Sequence, residues 1–307
     1  MRHFLHLADY SPAELTDLLD LAAALKKEWR GGGNAPLLQG QVLGMVFQKP
    51  SLRTRVSFEV AMLHLGGHAI YLSPAEIGLG GRESVADVSR VLSGYVQGIM
   101  ARVFDHAHIL ELAEYASVPV INGLSDYNHP CQALGDMLTI REHFGQLRGL
   151  NLSYVGDGNN VALSLMNACA LLGLDFTIAS PTGYSLAEEL VAAARKLADT
   201  YGSRITRLED PRKAVVDAHV IYTDTWTSMG QEIETEKRRK VFPPYQVNAE
   251  LVAKADPKAV VMHCLPAHRG EELTDDVADG PQSLIFPQAE NRLHAQKAIL
   301  ARLIADR

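Results

Sequence analysis

Twice along this chain, short apolar runs alternate with amphipathic stretches, and that double alternation limits the folds open to it more than any other feature. A capping box with proline at the first helical position, Ser11-Pro12-Ala13-Glu14, opens a helix that Gly31-Gly32-Gly33 ends. Strands are then expected at 42–47, 69–72, 98–104 and 119–122, with helices at 53–65, 83–95 and 107–116 between them. After an amphipathic stretch at 131–144 and Gly145 the pattern restarts, with strands at 150–155, 175–180, 204–208, 219–223 and 259–264. The helices of this half are expected at 160–172, 185–200, 211–217 and 248–255. A last strand near 284–286 and a final helix at about 290–305 complete the pattern. Strands interleaved with helices imply a mostly parallel sheet covered on both faces. At 307 residues the chain exceeds what one core usually supports. The expected class is therefore α/β, two doubly wound parallel-sheet domains at 1–145 and 146–289, with a terminal helix at 290–307 packing back on the first. Open parallel sheets bind ligands beyond the carboxyl ends of their strands, so the active site is expected in the cleft between the domains.

Composition narrows the partners. The 29 basic residues are outnumbered by 36 acidic ones, a net charge of −7, which argues against nucleic acid or an anionic membrane as the main partner. Cys131, Cys169 and Cys264 are odd in number and widely spaced, suggesting neither a disulfide framework nor a thiolate metal site. No run of 18 apolar residues occurs, and the opening Met-Arg-His-Phe is not a signal sequence. A cytoplasmic protein is expected.

Six short stretches carry chemistry. Ser51-Leu52-Arg53-Thr54-Arg55 follows the first strand and opens a helix, where free N–H groups, hydroxyls and guanidiniums suit a phosphate. Arg55 has an alternative partner in Glu59, one helical turn on. His129-Pro130-Cys131-Gln132 stands at a helix start, so that His129 and Gln132 can face one ligand. Gly156-Asp157-Gly158-Asn159-Asn160 follows a strand, but Val161 replaces the third glycine of a dinucleotide fingerprint, which disfavours an oxidoreductase. Asp224-Thr225-Trp226-Thr227-Ser228-Met229-Gly230 offers a carboxylate for an ammonium and a hydroxyl for a carboxylate. In His263-Cys264-Leu265-Pro266, neighbours on a strand point to opposite faces, which disfavours a His263–Cys264 dyad. Glu290-Asn291-Arg292 begins the last helix, and His294 and Lys297 read as surface residues. The charged segment 228–245, with Pro243-Pro244, reads as irregular and as a candidate mobile lid.

Taken in order, these stretches resemble the motifs of the aspartate/ornithine carbamoyltransferase family, and those from Gly156 onward resemble its ornithine branch. The first is similar to the family's S-T-R-T-R, with Leu52 in place of threonine. The resemblance implies a carbamoyl phosphate site formed by Ser51, Leu52, Arg53, Thr54, Arg102, His129, Gln132 and Arg292. It likewise implies an ornithine site formed by Asn160, Asp224, Ser228, Met229, Cys264 and Leu265. Arg102, His129, Cys264 and Arg292 would be catalytic. The implied reaction is carbamoyl transfer to the δ-amine of ornithine, with carbamoyl phosphate bound by the first domain and ornithine by the second. The resemblance further implies a homotrimer or a multiple of trimers, without cofactor or metal. Transfer to putrescine, N-acetylornithine or aspartate, and a catalytically silent binding homologue, remain as alternatives. Ser228-Met229-Gly230, and the lack of a lysine between Ser73 and Glu83, favour ornithine.

Overall fold

Strands β1 (Val42–Phe47), β2 (His68–Leu72), β3 (Gly98–Arg102) and β4 (Val120–Leu124) form one parallel sheet in the order β2-β1-β3-β4. A second parallel sheet runs β7 (Ile205–Leu208), β6 (Asp175–Ala179), β5 (Asn151–Val155), β8 (Val220–Thr223) and β9 (Val260–His263). The computed structural model describes residues 2–228 and 230–305. It divides into one unit of Met1–Leu138 with Asn291–Arg307 and another of Thr139–Glu290. Strands β3, β4, β8 and β9 are buried along their whole length, as parallel strands covered on both faces must be.

The main helices of the first unit are α1 (Pro12–Arg30), α2 (Leu52–His64), α3 (Val85–Ser93), α4 (His106–Tyr115) and the start of α5 (Pro130–Phe144). Those of the second are α6 (Asn160–Leu172), α7 (Glu188–Tyr201), α8 (Thr235–Val241) and the start of α9 (Ile285–Leu300). The capping box forms, with Glu14 N–H donating to Ser11 Oγ and Ser11 N–H to Glu14 Oε2. Helix α2 buries Thr54, Phe58, Ala61 and Met62, a stripe at helical spacing that fixes which way the residues of its first turn face.

Several expectations change. Residues 284–286 are not a strand: Ser283 makes one bridge to Val261, and Ile285 already begins α9. Three apolar residues are too few to show a period, and Pro287 falls in the first helical turn, where the missing N–H has no partner to lose. The helices at 211–217 and 248–255 shrink to single turns, Pro211–Ala214 and Ala249–Val252. Within the segment expected to be irregular, residues 232–245 form short helical turns around α8, with Arg238 buried. His294 and Lys297 are buried rather than exposed. Lys297 Nζ donates to Asn34 Oδ1 at 2.7 Å and lies 5.2 Å from the Trp29 ring centroid, so its charge is met inside the first unit.

Candidate active site

In the first sheet the chain moves outward from β1 to β2 and then crosses to β3 on the other side, so β1 and β3 flank the point where strand order reverses. In the second sheet the same reversal falls between β5 and β8. Ligand sites of open parallel sheets lie beyond the carboxyl ends of such strands. Ser51 and Arg102 stand there in the first unit, and the Gly156 turn and Asp224 stand there in the second.

In the first unit Ser51 caps α2 and its Oγ accepts from Thr54 N–H. Thr54 is fully buried, and its Oγ1 accepts from Arg102 Nη1 at 3.1 Å and from Arg292 Nη2, while Ser51 Oγ lies 3.0 Å away. Two guanidiniums thus converge on one hydroxyl, which has only two lone pairs. Arg292 Nη1 also donates to Gln132 Oε1 at 3.2 Å, and Gln132 Nε2 to Asp136 Oδ1 at 2.8 Å, which fixes the orientation of the Gln132 amide. Gly135 makes this approach possible: a Cβ there would meet Arg292 Cα at 3.0 Å and its N at 3.2 Å. Glycine is needed at that position because two backbones nearly touch.

His129 is buried at the start of α5, where its carbonyl accepts from Ala133 N–H at 3.2 Å. Burial holds its imidazole well below the usual histidine range, and the nearby charges of Arg292, Arg102, Lys49 and Arg53 act in the same direction. At neutral pH the imidazole is uncharged. Lys49 is buried as well and is brought down to about 8, first by burial and then by Arg102. Arg53 is half-buried, whereas the Leu52 side chain is 75% exposed, which leaves only its main chain to serve a ligand at the helix terminus. Arg55 turns to Glu59, with Nε donating to Oε1 at 2.9 Å, and stacks on Tyr71.

In the second unit the buried Asp224 carboxylate is held from two sides. Its Oδ2 accepts from Asn159 Nδ2 at 2.8 Å and its Oδ1 from Cys264 Sγ at 3.1 Å. Asn159 also caps α6, its Oδ1 accepting from Val161 and Ala162 N–H. Asn160 is the first residue of that helix and is half-buried, as are Ser228, Cys264 and Leu265. Met229 lies outside the described residues. Leu265 has φ 61°, a left-handed conformation that costs a branched side chain about 1–3 kcal/mol. Its N–H donates to His263 Nδ1 at 2.8 Å, which places the imidazole proton on Nε2 facing Glu272 Oε1 at 3.1 Å. Asp224, His263 and Cys264 are close enough to share an ion, but both His263 nitrogens are already engaged, and the group works as a hydrogen-bonded scaffold.

Thr54, Arg102, Gln132 and Arg292 therefore come together in the first unit, with His129, Lys49 and Arg53 in their field. Asp224 and Cys264 come together in the second. Sequence reasoning gave no role to three residues that the structure ties to these groups. Asn159, not only Asn160, serves the second site, and its signal was a preferred capping residue before an apolar helix. Lys49 was marked by its place just past the end of β1. Arg238, which bonds to Asp157, carried no signal beyond its charge.

The family model "Aspartate/ornithine carbamoyltransferase, carbamoyl-P binding domain" matches residues 2–142, and "Aspartate/ornithine carbamoyltransferase, Asp/Orn binding domain" matches residues 148–303. The chain is 56% identical to the ornithine carbamoyltransferase of Pyrococcus abyssi over 303 residues, covering 99% of this chain and 96% of that protein. The solved ornithine carbamoyltransferase from Pyrococcus furiosus superposes with a TM-score of 0.96 at 55% identity, covering 99% of this chain and 97% of that one. The anabolic ornithine carbamoyltransferase from Campylobacter jejuni superposes with a TM-score of 0.94 at 38% identity, covering 100% of both.

Proposed function

We infer that this chain, which belongs to the aspartate/ornithine carbamoyltransferase family, transfers the carbamoyl group of carbamoyl phosphate to the δ-amino group of L-ornithine, giving L-citrulline and phosphate. The observation that carries the first substrate is the convergence of Arg102 and Arg292 on Thr54 Oγ1 beside the α2 terminus. Two guanidiniums beside a helix N-terminus give the positive field that an anion requires. Ser51, Arg53 and the first-turn N–H groups of α2, including that of Leu52, receive the phosphate. Thr54, Arg102, His129, Gln132 and Arg292 receive the carbamoyl group. The unit built from 1–145 and the terminal helix is the carbamoyl phosphate domain in this reading, and 146–289 is the ornithine domain.

On the other substrate, Asp224 meets the α-ammonium, while Asn160, Ser228 and Met229 complete the amino-acid head. Cys264 Sγ and the Leu265 carbonyl accept from the two δ-amine protons, which points the nitrogen lone pair away from them. The neutral δ-amine attacks the carbonyl carbon. A C–N bond forms, and negative charge gathers on the former carbonyl oxygen against Thr54, Arg102 and the neutral His129. The C–O bond to phosphate then breaks, and the proton shed by the amine leaves with the phosphate as HPO4²⁻. Holding both reactants aligned is worth up to roughly 7–11 kcal/mol of the barrier.

Assembly as a homotrimer belongs to the same reading. An exposed apolar stripe along α2, Leu52, Val56 and Leu63, supports burial against another copy, and sedimentation of the Leu63→Glu variant tests it. Cytoplasmic residence fits three free cysteines, and no helix among the described residues is long and apolar enough to cross a membrane. The deciding experiment measures citrulline formation with ornithine beside aspartate, putrescine and N-acetylornithine. Turnover with ornithine alone supports the assignment. Preference for another amine overturns the substrate half, and no turnover with any of them overturns the whole.

A further inference from the structure

Arg238 lies on α8, outside all six chemistry-bearing stretches, and it is buried. Its Nη1 donates to the Trp226 carbonyl at 2.7 Å and to Asp157 Oδ2 at 2.9 Å, and its Nε donates to Glu234 Oε2 at 3.0 Å. The guanidinium carbon sits 5.0 Å from the Tyr184 ring centroid. Trp226 is the midpoint of the Asp224–Ser228 segment. Asp157 belongs to the turn whose Asn159 donates to Asp224. These contacts close a ring from Asp224 to Asn159, along the chain to Asp157, across to Arg238, on to the Trp226 carbonyl, and back along the chain to Asp224.

We propose that Arg238 is a positioning residue for the amino-acid substrate, clamping the Asp224–Ser228 strap to the Gly156 turn so that Asp224 and Ser228 are presented to the α-amino and α-carboxylate groups. The inference rests on the ornithine reading of this site. Only an arginine fits the task, because one planar fork must satisfy a carbonyl and two carboxylates in fixed directions, and a lysine ammonium is a single compact charge. The clamp costs stability to keep. Burial pushes the Asp157 carboxyl up to about 6, and Arg238 only partly offsets it. The groups facing Asp157 are Arg238 and Glu234 from the segment around α8, Asp224 beyond β8, and Tyr154 on β5. With the carboxyl raised in this way, Asp157 takes up a proton as pH falls through about 6, the ion pair becomes a weaker hydrogen bond from Arg238 to a neutral carboxyl, and the strap loosens.

The test compares the unsubstituted enzyme with Arg238→Lys and Asp157→Asn. It uses steady-state kinetics in both substrates and binding of L-norvaline, the same amino-acid head without a δ-amine, at saturating carbamoyl phosphate. Loss of a charge-assisted hydrogen bond predicts a rise of about 10- to 100-fold in KM for ornithine and in the norvaline Kd for Arg238→Lys. KM for carbamoyl phosphate should stay within about twofold. For Asp157→Asn, norvaline binding should weaken severalfold at pH 7 and lack the decline expected of the unsubstituted enzyme between pH 7 and 5. Should Arg238→Lys fail to fold, Asp157→Asn decides alone. An unchanged ornithine KM in folded Arg238→Lys, an equal rise in both KM values, or a norvaline profile that Asp157→Asn leaves unaltered overturns the proposal. Failure of the ornithine reading is distinguishable, because it appears as absent ornithine turnover in the unsubstituted enzyme.

Discussion

Replacing Gly135 by alanine sets two effects of comparable size against each other. In the middle of α5, alanine favours the helix over glycine by about 1 kcal/mol, so propensity alone predicts a more stable protein. The new Cβ would stand 3.0 Å from Arg292 Cα and 3.2 Å from Arg292 N, several tenths of an ångström inside ordinary contact, and both atoms are backbone. Overpacking of this kind costs about 1–3 kcal/mol, so the net expectation is a loss of about 0–2 kcal/mol. Function should suffer more. The bond from Arg292 Nη1 to Gln132 Oε1 is already 3.2 Å long, and a displacement of about half an ångström takes it beyond hydrogen-bonding range. The guanidinium bound to Thr54 moves with it. Losing one charge-assisted contact to the carbamoyl group predicts a fall of about 10- to 100-fold in kcat/KM for carbamoyl phosphate, with ornithine binding nearly unchanged. Thermal unfolding and two-substrate kinetics of Gly135→Ala measure both effects. A variant that is stabilised by the full propensity term and retains its kcat/KM would show that the two backbones do not press on each other and that Arg292 is not positioned by this contact.

Arg53→Ala should raise KM for carbamoyl phosphate at least tenfold with little change for ornithine, and Asp224→Ala the reverse; equal losses in both constants would undo the division of labour. The pH profile of kcat/KM for ornithine should rise through the neutral to alkaline range as the amine loses its proton, because His129 is already neutral there and adds no inflection of its own. Lys49, brought down to about 8, is cationic below that pH and neutral above it. KM for carbamoyl phosphate should therefore climb above pH 8, and Lys49→Met should flatten the climb. Leu52→Thr should leave KM for carbamoyl phosphate within about threefold, since the 75% exposed side chain adds nothing at the anion; a tenfold gain would show that the hydroxyl matters.

The sheets were legible because most of their strands are short apolar runs bounded by turn residues and separated by helical periods, and β1 falls where the pattern put it, at Val42–Phe47. The Leu284–Phe286 triplet was not, since three residues fit either period. Residues 232–245 looked irregular because Arg238 is held by Asp157, some eighty residues earlier, and local sequence carries no trace of such a contact. The same holds for the first site. Thr54, Arg102, Gln132 and Arg292 are scattered along the chain and meet only through strand order and the close backbone approach at Gly135, so from sequence only the resemblance joined them. The resemblance selected Asn160 alone, but both asparagines are good caps, and which one turns toward Asp224 depends on the turn geometry. The buried Lys297 misled for a simpler reason: its partner Asn34 belongs to the far end of the chain.

The two half-sites carry opposite charge, and that opposition bears on the choice of amine. In the first, Arg102 and Arg292 converge on one hydroxyl and concentrate positive charge, which suits a phosphate and a developing oxyanion in the proposed reaction. In the second, Asp224, Cys264 and the Leu265 carbonyl offer acceptors, which is what a diamine needs. A substrate with a second carboxylate where ornithine carries its δ-amine would set an anion against this group. Like-charge juxtaposition in a desolvated site costs several kcal/mol, which predicts at least a thousandfold lower kcat/KM for aspartate than for ornithine. Putrescine keeps the amine but has no α-carboxylate for Ser228, so it should lose mainly through KM, while aspartate, with no amine at the δ position, should lose in kcat as well. Competition assays with the three amines at fixed carbamoyl phosphate separate these outcomes, and aspartate turnover within tenfold of ornithine would mean that Cys264 and the Leu265 carbonyl do not face the reacting end of the amino acid.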